Sequence, residues 1–322
     1  MKKFLLSILF ILQFSLTFAA TAKYVSEEYS IFLNYNDVIT QGDAIFVRMN
    51  ITIPKNHKKT KSDSDKKATL QLLQDKKVIE TAPFYQINKA KKTTTELLCG
   101  IPISLWLKDG NYSLKVIFVD ADAEAQEFTL PVTLKLRDFP EEVIPLDEKN
   151  TAIKTDNSPE RAAQIDELNN IIFTSIPSDV YSLKKFNSPT TSERYTAYFG
   201  DKRTYKYTNG KSSSSFHYGN DYGVPTGTDV RSCAEGRVVM AESRISTGWS
   251  VVVEHLPGLY SLYYHMSELN VKEGEMVKQG DLLGKSGATG LATGPHLHWE
   301  IRLNGSAVRP EFFLNNFTFD EN

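Results

Sequence analysis

The residues of this chain best able to do chemistry are two histidines one position apart, in Gly294-Pro295-His296-Leu297-His298-Trp299-Glu300. The flanking Trp299, Ile301 and Leu303 predict a β-strand. Alternate side chains on a strand share a face, so His296 and His298 would point the same way while Leu297 and Trp299 enter a core. Two imidazoles side by side make either a metal site or a metal ligand next to a base. The upstream segment His217-Tyr218-Gly219-Asn220-Asp221 offers what would complete it. His217 and Asp221 are four residues apart and would lie on one face of an extended chain. Together with one of the two strand histidines they give a His₂Asp set. Three nitrogen and oxygen ligands with a fourth position open to water is the pattern of a catalytic zinc site. Glu300 shares the face of His296 and His298, as an acceptor for a ligand imidazole or simply as a paired acid.

Five of the six histidines fall in the last third of the chain. Two of them belong to an expected hairpin, Val251 to His255 and Tyr260 to His265 about a turn at Leu256-Pro257-Gly258-Leu259. His255 sits beside that turn and His265 at the open end. At roughly 3.3 Å per residue they are about 15 Å or more apart, so both cannot reach one metal. The spacing puts one of them in the site without saying which.

The elements that must position these groups follow from composition and punctuation. At 322 residues and 41% hydrophobic content the chain can hold two domains with real cores. A net charge of −2 gives no reason to expect a nucleic-acid partner. Residues 1–22 read as an export signal: Lys2-Lys3, an apolar run from Phe4 to Phe14, then Ala19, Ala20 and Ala22. The run is too short for a permanent membrane span, so an exported protein is expected, in the periplasm or outside the cell at its wall. Cys99 and Cys233 lie among apolar or small residues and read as buried free thiols.

The fold class expected is all-β, in two domains. Residues 23–138 carry short alternating runs such as Ala44 to Ile51 and Tyr112 to Val119, each after a turn signal, and suggest an immunoglobulin-like sandwich. The lysine-rich stretch Lys55 to Lys67 reads as a solvated inter-strand loop. Residues 139–190 form a connector with one helix, capped at Asn157, with Pro159 in its first turn and Ile165, Leu168 and Ile172 as its apolar stripe. Residues 191–322 are again β, rich in glycine turns, with no long helix after Phe186.

Three motifs in order carry a family resemblance: His217-x-x-x-Asp221, Tyr264-His265-Met266-Ser267 and Gly294-Pro295-His296-Leu297-His298. With Ser286-Gly287-Ala288-Thr289-Gly290 between them, the stretch from Tyr195 to Leu314 resembles the lysostaphin/LytM-type zinc endopeptidases of bacterial cell walls. The resemblance implies an antiparallel β peptidase domain in which His217, Asp221 and His298 bind Zn2+ and His265 and His296 act as metal-free catalytic histidines. His255 is left as a hairpin residue. Asn220 departs from the family, which usually has an aliphatic residue there. Tyr205 or Tyr207 could supply an oxyanion donor, as a tyrosine does in some relatives. The implied substrate is a peptidoglycan peptide, either stem or cross-bridge. The N-terminal domain or the connector could hold such an enzyme latent. The contrasting expectation is a non-catalytic wall-binding module or amidase activator. Relatives of that kind are degenerate at the zinc positions, and this sequence is not.

Overall fold

The computed structural model describes residues 10–12, 19–54, 67–88, 93–119, 125–315, 317 and 319. Most of the expected export signal therefore lies outside the described residues, as does the lysine-rich stretch over 55–66. Within the signal, Phe10–Leu12 is a short strand paired with Thr21 to Lys23. The chain divides into two compact units, one up to Leu136 and one from Arg137 to Asp320.

In the first unit, strand Ser30–Asn36 is buried at every second position, and so are Tyr112–Val119 and most of Gln126–Lys135. This is the period-two pattern of a sheet with one dry face. A six-stranded sheet centred on Ser30–Asn36, Ala44–Thr52 and Thr94–Pro102 shares one core with a five-stranded sheet centred on Gln126–Lys135, Tyr112–Val119 and Lys67–Gln74. The dry faces meet through Ile31, Leu33, Val47 and Met49 on one side and Leu70, Leu114, Val116 and Phe128 on the other. Cys99 is free and buried in this core.

The second unit is built on an eight-stranded antiparallel sheet. Its path runs Tyr195–Ala197, Gly219–Tyr222, Leu297–Leu303, Leu259–Met266, Gly248–Leu256, Gly236–Arg244, Met276–Val277, with Ser306–Val308 added beside Leu297–Leu303. The expected hairpin is its centre, Gly248–Leu256 against Leu259–Met266. Nearly every residue of both strands is buried, because both faces of the hairpin are covered. Leu168, Ile171 and Ile172 of a helix pack on Met240, Val252, Leu262 and Tyr264. Against the turn end, Phe186 stacks on Phe313 and touches the ring of His255.

The connector differs from expectation in two ways. It holds two helices, α1 (Glu148–Thr155) and α2 (Pro159–Ile172). The cap of α2 is Ser158, whose Oγ accepts from Arg161 N, and not Asn157. Ser158 immediately precedes Pro159, whose fixed φ suits the first helical position. The docked stripe is accordingly Leu168, Ile171 and Ile172, while Ile165 is 42% exposed. The connector belongs to the second unit. Glu141–Pro145 pairs in parallel with Lys202–Lys206, which pairs in turn with Ser212–Phe216.

Candidate metal centre

Register brings the site together. Asp221 on Gly219–Tyr222 stands opposite His298, and His298 stands opposite Tyr264 on the next strand. Directly opposed side chains on antiparallel strands have Cβ atoms about 4.5–5.5 Å apart. His217 and Asp221 are not on one continuous strand, as the spacing suggested. His217 follows the strand Ser212–Phe216, and Tyr218 joins it to the next strand, Gly219–Tyr222. Gly219 makes this passage possible, because a Cβ there would lie 2.4 Å from Trp299 O and 2.9 Å from His298 Nε2.

Three donor atoms converge as a result. His217 Nε2 lies 3.0 Å from Asp221 Oδ1 and 2.9 Å from His298 Nδ1, and His298 Nδ1 lies 2.7 Å from Asp221 Oδ1. Each of the three residues is buried, and each is held from behind. His217 donates its Nδ1–H to Tyr198 O at 2.9 Å, which leaves a bare lone pair on Nε2. His298 donates from Nε2 to Glu300 Oε1 at 2.9 Å. Asp221 Oδ2 accepts from Arg203 Nη2 at 2.8 Å. This outer set fixes ring orientation and tautomer, the usual arrangement around imidazole ligands.

The electrostatics of the three donors suit a cation among them. Burial alone would raise the Asp221 carboxyl, but His217 and His298 hold it well below the usual carboxylate range. Burial alone would lower His298, but Asp221 and Glu300 more than reverse it and lift the imidazole to about 9. The Glu300 carboxyl is held at about 2, against the cost of burial, by Arg302 and His298. Two acceptors, His217 Nε2 and Asp221 Oδ1, thus face each other with a single proton, that on His298 Nδ1, between the three atoms. A tetrahedral ion with bonds of ~2.0–2.1 Å would separate its donors by roughly 3.3 Å, and the three atoms lie just inside that spacing. The donor set fits a divalent ion in place of that proton, with ligation requiring the proton's release.

Two more histidines border this centre. His296 Nδ1 donates to Gly294 O at 2.8 Å, and its Nε2 lies 3.7 Å from Asp221 Oδ1. His265 Nδ1 donates to Thr289 O at 2.8 Å, and its ring lies 4.7 Å from His296 and 6.0 Å from His298, centre to centre. Burial lowers both, His265 to about 3, so both are neutral bases at pH 7. His265 has φ +61°, in the left-handed region, where a non-glycine residue costs on the order of 1–3 kcal/mol. A register irregularity in the facing strand accompanies it. Together they let Tyr264 and His265 both border His298, which strand alternation would forbid.

His255 is elsewhere. Its Nδ1 donates to Glu235 O, and its Nε2 is taken by Ser261 Oγ at 2.7 Å with Cys233 Sγ at 3.6 Å. Asn220 is fully buried and accepts from Phe199 N through Oδ1 at 2.9 Å. Of the two tyrosines considered, Tyr205 lines the groove over the centre, whereas the Tyr207 hydroxyl bonds to Ser213 across its own hairpin. Sequence reasoning missed Arg203. Its strand, Lys202–Lys206, alternates, so Arg203 shares a face with Tyr205; that was the available signal. The connector, which the sequence left free to lie across the cleft, lines the groove with Glu142, Ile144, Leu146 and Lys154. Among the described residues, no connector side chain bonds to any of the three donor atoms.

Residues 215–310 match the model of peptidase family M23. Over 94 residues, 29% of this chain and 22% of the relative, the sequence is 42% identical to the DD-carboxypeptidase/endopeptidase Mpg of Neisseria meningitidis. Over 92 residues, 29% of this chain and 21% of the relative, it is 40% identical to the peptidoglycan DD-endopeptidase ShyA of Vibrio cholerae. The matched stretch thus spans about a fifth of the length of these curated relatives. A solved Pseudomonas aeruginosa chain assigned to peptidase M23 shares the fold, with a TM-score of 0.51 at 24% identity over 78% of this chain and 89% of that one.

Proposed function

The chain carries a peptidase M23 domain, and from that premise we propose that it is an exported zinc endopeptidase cleaving peptide bonds of peptidoglycan. The observation that carries this reading is the convergence of His217 Nε2, Asp221 Oδ1 and His298 Nδ1 beside two neutral imidazoles. The names of the matched relatives, a peptidoglycan DD-endopeptidase and a DD-carboxypeptidase/endopeptidase, support the substrate class. Export rests on the Lys2-Lys3 and Phe4 to Phe14 pattern. No helix among the described residues is long and apolar enough to cross a membrane.

In this reading His217, Asp221 and His298 hold the ion, with Tyr198, Glu300 and Arg203 fixing their orientation. Zinc in such a site supplies Lewis-acid activation of a water and of the scissile carbonyl. His296, with its Nδ1 proton committed to Gly294 O, presents Nε2 as the base. It takes a proton from the attacking water and returns it to the leaving amine. His265, with its Nδ1 proton committed to Thr289 O, can only accept at Nε2 while neutral. That suits it to orient the water rather than to donate to an oxyanion.

The test is mass analysis of purified sacculi incubated with the full-length protein, with and without chelator, alongside His298→Ala. After muramidase digestion, muropeptides of altered mass should appear only from sacculi treated with the metal-loaded wild type. Stoichiometric zinc with no change in any muropeptide mass would refute the proposal.

A further inference from the structure

The groove has a wall that the metal centre does not explain. Lys154, in the last turn of α1, lines it together with Tyr205. The lysine Nζ sits 4.1 Å from the centre of the Tyr205 ring. Among the described residues no carboxylate pairs with this ammonium. Burial lowers its pKa, and its charged neighbours Arg161 and Arg203 lower it further. Arg203, by contrast, is matched by Asp221 at 2.8 Å and Glu142 at 3.6 Å.

A half-buried ammonium without a counter-ion, set near two guanidiniums, is unfavourable in the free protein. An aromatic face offsets only part of that cost. A bound anion would offset the rest. The helix that carries the lysine is held firmly against the groove. Asp147 caps it by accepting from Asn150 N at 2.7 Å. The buried Asn150 side chain donates to Ala292 O at 3.3 Å, between the groove-lining Leu291 and Thr293. Thr208 N donates to Thr151 Oγ1 at 3.3 Å. Lys154 is therefore presented to the groove from a fixed scaffold.

We propose, resting on the peptidase reading above, that Lys154, held over the face of Tyr205, forms a subsite for a carboxylate of the substrate peptide. The connector then takes part in substrate selection.

The experiment compares twin synthetic stem-type peptides, one with a free carboxylate near the scissile amide and one with a carboxamide there. Each is given to the full-length, metal-loaded wild type, Lys154→Met and Lys154→Arg. Wild type should favour the carboxylate twin about tenfold in KM, with a preference that weakens as salt rises. Lys154→Met should lose that preference while kcat, metal content and the carboxamide KM stay within about twofold, and Lys154→Arg should keep part of it. If neither twin is hydrolysed, the peptidase reading fails, and calorimetric binding of the same twins tests the subsite alone, with the same tenfold preference expected. No preference in the wild type would overturn the proposal. So would equal losses on both twins in Lys154→Met, or a faster rate on both, the last marking α1 as a cover over the site.

Discussion

The two ends of one hairpin hold histidines that differ in almost nothing except the surroundings of a single nitrogen. His255 near the turn and His265 at the open end are both buried. Each donates its Nδ1–H to a backbone carbonyl at 2.8 Å. Burial depresses both, to about 4 and about 3. At His255, Nε2 meets Ser261 Oγ and the ring lies against Phe186. At His265, Nε2 has no hydrogen-bond partner among the described residues, and the ring faces His296 and His298. A satisfied second nitrogen makes a piece of core; an unsatisfied one beside three converging donor atoms is left to accept a hydrogen bond from water. The backbone records the same contrast, since only His265 sits at positive φ.

The strongest way to break this contrast is to remove the cation site. His298→Ala should lose bound metal, measured by elemental analysis, and peptide hydrolysis by about 10⁴-fold or more, beyond what loss of one acid–base group explains. Next come the residues that set the contrast itself. His265→Ala and His296→Ala should keep metal yet lose about 10²–10⁴ in kcat. His255→Gln should keep kcat at temperatures where it remains folded. Loss of activity in folded His255→Gln, equal to that in His265→Ala, would erase the distinction.

How much of this was legible beforehand depends on the range of the interaction. His296 and His298 are two apart and their pairing follows from strand alternation alone; the hairpin distance likewise separated His255 from His265. The family resemblance chose between them, which spacing could not do. The positive φ of His265 left no readable mark in the sequence, because histidine, though enriched among non-glycine residues at positive φ, still takes negative φ at most of its positions. The second helix of the connector was hidden by its length, eight residues, and by a weakly amphipathic sequence, EKNTAIKT. The cap at Ser158 was misjudged by one residue, within the usual uncertainty of helix ends. Arg203 reaches Asp221 from a different sheet, and strand alternation, which places it on the face of Tyr205, does not encode that meeting.

A smaller effect sharpens the comparison from behind the three donor atoms. Glu300 orders His298 by accepting from Nε2 and is itself held by Arg302 at 2.6 Å. Glu300→Gln keeps the shape but removes the charge, and metal affinity should fall by about 10–100-fold in a chelator competition. His255 has no such dependence on a distant acid, so the same substitution should leave the His255 imidazole resonances unchanged in NMR spectra of the metal-free protein.

The last effect, on stability and not on activity, is the pH dependence that His255 brings. In the folded protein it binds a proton only below about 4, whereas the unfolded chain does so below 6.5. Between those values the unfolded state holds more protons, so stability is full above pH 6.5 and falls as the pH drops toward 4. The loss should be about 1 kcal/mol between roughly pH 6.5 and 5.5, and about 3 kcal/mol over the whole interval. Urea unfolding of the chelated protein at several pH values measures it against His255→Gln, which cannot titrate and should show a shallower slope. Equal slopes would mean that the imidazole near the turn is not buried in its neutral form, and its likeness to His265 would then end at the residue name.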